Sequence, residues 1–210
     1  MKSLGERKRL AAKYVSTLKK LYPNSEIALK YSNDWELLVA VILSAQCTDK
    51  MVNKVTKRLF KKYKTIKDYA NAKQTEFEQD IKSTGFYKNK TANIIADAKI
   101  ILEKYKGRMP DTMEEMLKLR GVARKSANII LHLVHGKTEG IAVDTHVKRL
   151  SKLLGLTDNS DPVKIEKDLM EVFPRKEWMD FCFRLIYYGR EYCTARKHDH
   201  GDCPLSRLSF

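Results

Sequence analysis

The chain lacks any apolar stretch long enough to cross a membrane. Its longest, Trp35 to Leu43 (WELLVAVIL), falls well short of the roughly 20 residues a spanning helix needs. The segment Met1 to Tyr22 is basic but has no apolar core of the secretory-signal kind, so no export leader is expected. Cysteine is scarce: Cys47, Cys182, Cys193 and Cys203 are too scattered for a disulfide framework, and a reducing intracellular location is the expectation. No internal repeat and no low-complexity linker interrupts the 210 residues, a length that suits one large domain or two small lobes. No convincing strand offers itself as a partner for the run at 35–43. That run is therefore read as a buried helix.

Acidic residues are also in short supply. There are 26 of them against 41 basic ones, a formal net charge of +15. Such an excess points to a polyanionic partner, most simply nucleic acid. The basic residues are spread over many segments rather than gathered on one amphipathic tail, which argues against a membrane surface.

What is present reads as helices with short connections, about ten in all. Leu10, Tyr14, Leu18 and Leu21 recur at helical spacing. Thr48 or Asp49 is placed to cap a helix from Lys50 to Tyr63, and two short helices are expected at Thr65 to Ala70 and Gln74 to Lys82. Ser83 to Asn89 reads as a turn with Gly85 at positive φ, before a helix from Lys90 to Tyr105. Thr112 and Glu115 make a capping box for a helix to about Leu119. Asp161-Pro162 opens another helix, and Trp178 to Ile186 forms the stripe of a last long one ending at Gly189. The fold class is all-α.

The stretch Leu119 to His146 carries the chemistry. A turn around Gly121 leads into a helix whose first turn holds Arg124 and Lys125. Cations at that end oppose the helix dipole by roughly 0.3–1 kcal/mol each. A nearby anion would offset this, and free N–H groups at a helix start favour one. Asp144 then arrives as the cap of the following helix. Taken alone, Lys125 is a solvated lysine, Asp144 a cap and His146 a structural histidine; the rest of the chain shifts those readings.

Five segments in order, LLVAVILSAQCTD, GFYKNKTANI, LRGVARKSANIIL, IAVDTHVKRL and FCFRLIYYGREYCTARK, closely resemble the endonuclease III family. Its members are DNA glycosylases and AP lyases of the helix-hairpin-helix superfamily. The resemblance covers roughly Trp35 to Cys203. It implies two all-α lobes with a cleft between them. Residues 27–137 would form a six-helix barrel lobe with the helix-hairpin-helix, and residues 1–26 with 138–210 a second helical lobe. It implies Lys125 as the catalytic lysine and Asp144 as the catalytic aspartate. A neutral amine can attack the sugar C1′ and expel a damaged base. Asp144 can stabilise the cationic sugar. The nucleotide must first be extruded, at a few kcal/mol. Gln46 matches the family's wedge, and Phe86 its second, apolar wedge, where an aromatic stacks well. Lys88, Arg120, Gly121, Val122, Ala123, Arg124, His146, Arg196 and Lys197 complete the expected DNA-binding set, the hairpin amides facing a phosphate.

Two departures stand out. The family hairpin usually reads Leu-Pro-Gly-Val-Gly; here Arg120 replaces the proline and Ala123 the second glycine, so Ala123 must avoid positive φ. The family often binds a [4Fe–4S] cluster through four cysteines. The matching positions in the loop at 193–209 are Cys193, His200, Cys203 and Ser209, with two thiolates missing. An intact cluster is not expected, and a zinc site with His198 or His200 lacks an obvious fourth ligand. The expectation is a monomeric, cytoplasmic protein (nucleoid-associated in a prokaryote) that removes oxidised pyrimidines from double-stranded DNA and cleaves abasic sites. Its rivals are a glycosylase for mismatched thymine or uracil and a non-catalytic helix-hairpin-helix DNA-binding module.

Overall fold

The structure, a computed structural model, describes residues 2–208. Among them all regular structure is helical: α1 (Leu4–Leu21), α2 (Asp34–Ser44), α3 (Asp49–Lys62), α4 (Ile66–Ala70), α5 (Gln74–Ile81), α6 (Tyr87–Tyr105), α7 (Met113–Met116), α8 (Arg124–His135), α9 (Thr145–Leu153), α10 (Pro162–Val172) and α11 (Trp178–Glu191). None of these helices is long and apolar enough to cross a membrane. The chain divides into two compact units, Ile27–Lys137 and the discontinuous Met1–Glu26 with Thr138–Phe210.

In the unit Ile27–Lys137 the core gathers around α2. Asn33 caps this helix by accepting from the Glu36 N–H at 3.0 Å. Leu37, Leu38, Val39, Ala40 and Leu43 are wholly buried because α3, α6 and α8 surround α2. That enclosure explains why the run at 35–43 shows no polar face. Trp35, Tyr63, Tyr69 and Phe77 pack with ring centroids 5.2–5.8 Å apart in mixed tilted and edge-on contacts. Burying each such side chain contributes about 1.5–3 kcal/mol.

The discontinuous unit packs α1 on α10 and α11, and α9 on α11. Ser3 and Glu6 close α1 with a reciprocal capping box. The Tyr14 hydroxyl, wholly buried, donates to the Leu154 carbonyl at 3.0 Å and ties α1 to the end of α9. Asp161 caps α10, with Pro162 at its first position.

Three boundaries differ from the sequence expectation. The helix expected from Lys90 begins at Tyr87, since Phe86 takes a left-handed conformation and starts it early. The helix expected to reach Leu119 stops at Met116. Lys118 and Leu119 instead donate to carbonyls three residues back, the tighter pattern common at helix ends. Gly189 does not terminate α11 but lies inside it, and a Cβ there would sit 2.6 Å from His146 Nδ1. Glycine at 189 permits a close α9–α11 approach rather than a turn.

Candidate functional site

The hairpin between α7 and α8 is held from below. Gly121 has φ +74°, which favours glycine, and a Cβ added there would lie 2.7 Å from Asn93 Nδ2 and push that side chain aside. Val122 is buried, while Arg120 and Ala123 are exposed. The Arg120 N–H donates to Asp97 Oδ1 at 2.7 Å. Ala123 sits at φ −92° and ψ 169°, so the alanine that replaces a family glycine carries no left-handed strain. It also offers no side-chain cap to the first turn of α8. Arg124 and Lys125 are exposed in that first turn, and within its own unit the Lys125 amine makes no hydrogen bond or ion pair.

Asp97 lies wholly buried on α6, and burial pushes its carboxyl up to about 7, against the hydrogen bond from Arg120. The carboxyl titrates near 3.8 when unburied, so the fold favours the neutral form at pH values below about 7. Folding then takes up a proton between about pH 4 and 7, and stability contributed below pH 4 is lost as pH rises to 7, by up to about 4 kcal/mol. Asp97→Asn keeps an oxygen for the Arg120 N–H and removes the titration. Urea unfolding at pH 4.5 and 7.5 should show a smaller loss between the two for the variant than for the parent.

Gln46 and Phe86 sit on two loops of the same unit. Gln46 follows the end of α2 at φ +53°, and Phe86 precedes α6 at φ +49°. Among the described residues the one further non-glycine at positive φ is Lys106, the C-cap of α6. Left-handed backbone costs roughly 1–2 kcal/mol for such residues. Phe86 is 62% exposed, so its ring contributes little to the core in return. Strain of this kind gathers where geometry serves a task. Lys88 is exposed in the first turn of α6. Beneath both loops lies Lys90, 4% exposed, whose ammonium donates to the Leu43 and Thr84 carbonyls at 2.8 Å each. Burial pulls its pKa down.

In the discontinuous unit, Asp144 is the N-cap of α9, its Oδ1 accepting from the Val147 N–H at 2.8 Å. His146 is half-buried and packed on Gly189. Arg196 and Lys197 are exposed. Of the former cluster positions, Cys193, His200 and Cys203 come together, while Ser209 lies outside the described residues. His198 joins them, and the ligand atoms of all four side chains lie within 4.8 Å of one another. Burial pushes the Cys203 thiol up, with Cys193 beside it adding to the effect.

Lys90 and Asp97 were missed in the sequence, although both fall on the apolar stripe of α6 with Ile94, Ala98 and Ile101. A charged residue on such a stripe was the available signal. A cavity of about 600 Å³ near Trp35, Tyr105, Met109 and His135 contains none of the expected site residues.

Comparison with known proteins gives a consistent result. Residues 39–175 match the HhH-GPD superfamily of base excision DNA repair proteins. The chain is 46% identical over 208 residues to an endonuclease III of Synechocystis sp., covering 99% of this chain and 95% of that one. It is similar to the protein in a solved non-covalent endonuclease III–DNA complex, with TM-score 0.91 and 42% identity over 99% of this chain and 95% of that one. A trapped endonuclease III–DNA covalent intermediate, an estranged-adenine complex, gives 0.90 and 42% over 99% and 96%.

Proposed function

Since the chain belongs to the endonuclease III family of the HhH-GPD superfamily, we infer that it is a bifunctional DNA glycosylase and AP lyase of base excision repair. Its partner is double-stranded DNA carrying damaged bases or abasic sites, and the net charge of +15 suits that polyanion. One observation carries the catalytic assignment: Lys125 stands exposed, without a partner in its unit, in the uncapped first turn of α8.

Lys125 is the nucleophile. Its neutral amine attacks the deoxyribose C1′, the N-glycosidic bond breaks, and the base leaves with the electron pair. The nitrogen lone pair then opens the sugar ring, O4′ leaving C1′ to become the 4′ hydroxyl as it takes up a proton, and a protonated Schiff base results. Loss of a C2′ proton then expels the 3′ phosphate by β-elimination. Asp144 stabilises the cationic sugar with its charge and helps move protons. The hairpin backbone from Gly121 to Ala123, with Arg120 and Arg124, holds a backbone phosphate. Gln46 and Phe86 fill the gap left by the extruded nucleotide, the ring stacking for roughly 1–3 kcal/mol. Lys88, His146, Arg196 and Lys197 add contacts to the backbone.

The substrates are oxidised pyrimidines, and the protein acts as a monomer in the cytoplasm, on the nucleoid. The chemistry needs no cofactor. A four-iron cluster does not fit residues that supply two thiols and two imidazoles.

Duplex oligonucleotides bearing one oxidised pyrimidine, one mismatched thymine or one uracil, incubated with borohydride, test this reading. A covalent adduct is expected on the oxidised pyrimidine and on an abasic duplex. An adduct with mismatched thymine alone overturns the lesion class, and none on the abasic duplex overturns the lyase.

A further inference from the structure

We propose that Cys193, His198, His200 and Cys203 form a tetrahedral site for a single zinc ion, standing where the family often carries an iron–sulfur cluster. This assignment does not depend on the enzymatic reading above. It begins with spacing. Zn–S bonds of about 2.3 Å and Zn–N bonds of about 2.0–2.1 Å place tetrahedral ligand atoms about 3.3–3.8 Å apart. Cys193 Sγ lies 3.5 Å from His200 Nδ1, His198 Nε2 lies 3.2 Å from Cys203 Sγ, and all four atoms lie within 4.8 Å of one another. Ligands of a four-iron cube each bond a different iron at a different corner, which sets them farther apart than ligands sharing one ion. The spacing and the donor set both oppose the cube, and two thiolates with two imidazoles suit zinc.

The surroundings orient the ligands. His198 Nδ1 lies 2.7 Å from the Arg196 carbonyl, so that nitrogen carries the proton and donates. The lone pair is then at Nε2, the atom beside Cys203. Metal-bound histidines are commonly fixed by such a bond on the far nitrogen. Arg149 donates to the Cys193 carbonyl at 2.5 Å and brings a second guanidinium nitrogen to 3.7 Å from Cys193 Sγ, which holds that cysteine in place.

The loop also needs a tie. Between Cys193 and Cys203 no side chain is apolar beyond the methyl groups of Thr194 and Ala195. Yet both cysteines are buried, and the chain beyond them returns to the core at Leu205, whose N–H donates to the Tyr188 hydroxyl at 3.1 Å. A segment that cannot bury an apolar face gains its order from a bound ion.

Elemental analysis of the full-length protein should find one zinc per chain and no stoichiometric iron or sulfide. Apoprotein prepared with a chelator and titrated with zinc chloride against a chromophoric competitor should bind one ion tightly. Cobalt chloride in its place should give the visible absorption of a tetrahedral thiolate–imidazole site. His198→Ala, Cys203→Ser and the conservative His200→Asn should each lose stoichiometric zinc. Should these variants fail to fold, the cobalt spectrum and zinc titration of the parent decide alone. A four-iron spectrum with matching sulfide, an octahedral cobalt spectrum, or apoprotein that takes up no zinc overturns the assignment. None of these measurements involves DNA, so failure of the repair activity leaves the result legible.

Discussion

Replacing Lys125 with alanine should leave the protein folded and remove all covalent trapping on an abasic duplex. The side chain is exposed and makes no hydrogen bond within its unit, so stability should change by no more than about 0.5 kcal/mol. The rate should fall on the order of a thousandfold or more, the scale seen when a covalent nucleophile is deleted. Lys125→Arg should do no better, because an arginine does not give up its proton to attack. Asp144 supplies the companion test. Asp144→Asn retains an oxygen for the Val147 N–H and so keeps the cap, while the charge is gone. Its rate should drop about 10²–10⁴-fold with little change in unfolding. Asp144→Ala loses the cap too and should cost about 1 kcal/mol of stability besides. If Asp144→Asn is fully active and only Asp144→Ala is impaired, the aspartate is a cap and nothing more.

Lys90→Met should produce the second large effect. The substitution is close to isosteric, but it deprives the Leu43 and Thr84 carbonyls of their shared donor. Leaving buried acceptors unpaired costs about 1–3 kcal/mol each, offset in part by relief from burying a charge. A net loss of about 2 kcal/mol is the expectation, read from the urea midpoint. The informative readout is catalytic. Leu43 precedes Gln46 by three residues and Thr84 precedes Phe86 by two, so the ammonium sets both loops from one point. Cleavage of a damaged base in duplex should therefore suffer more than trapping on a single-stranded abasic oligonucleotide, which needs no extrusion. Equal losses on both substrates would make Lys90 a stability residue alone.

The sequence disclosed what is local. Thr48, Asp144 and Asp161 were readable as caps because a side-chain oxygen and the N–H groups it serves lie within three residues. The buried helix at Trp35 to Leu43 was readable by elimination. What escaped was tertiary. Lys90 and Asp97 went unremarked: their place on the apolar stripe of α6 hinted at burial, but the groups that close over them, the α2 end and the hairpin, lie far off in the chain. Gly189 looked like a helix stop because its reason lies forty-three residues back, at His146. In the sequence His198 and His200 read as alternatives for one zinc ligand; that both join the two cysteines shows only once the loop folds back. The left-handed turn at Phe86 ran against its residue type, and so did the early start of α6.

That backbone twist has an evolutionary corollary. A glycine or asparagine at 86 would relax the turn and raise the melting temperature of the resting protein. The exposed phenyl ring thus sits at some expense of thermal endurance, a trade that suits the stacking role proposed for it better than a part in the core.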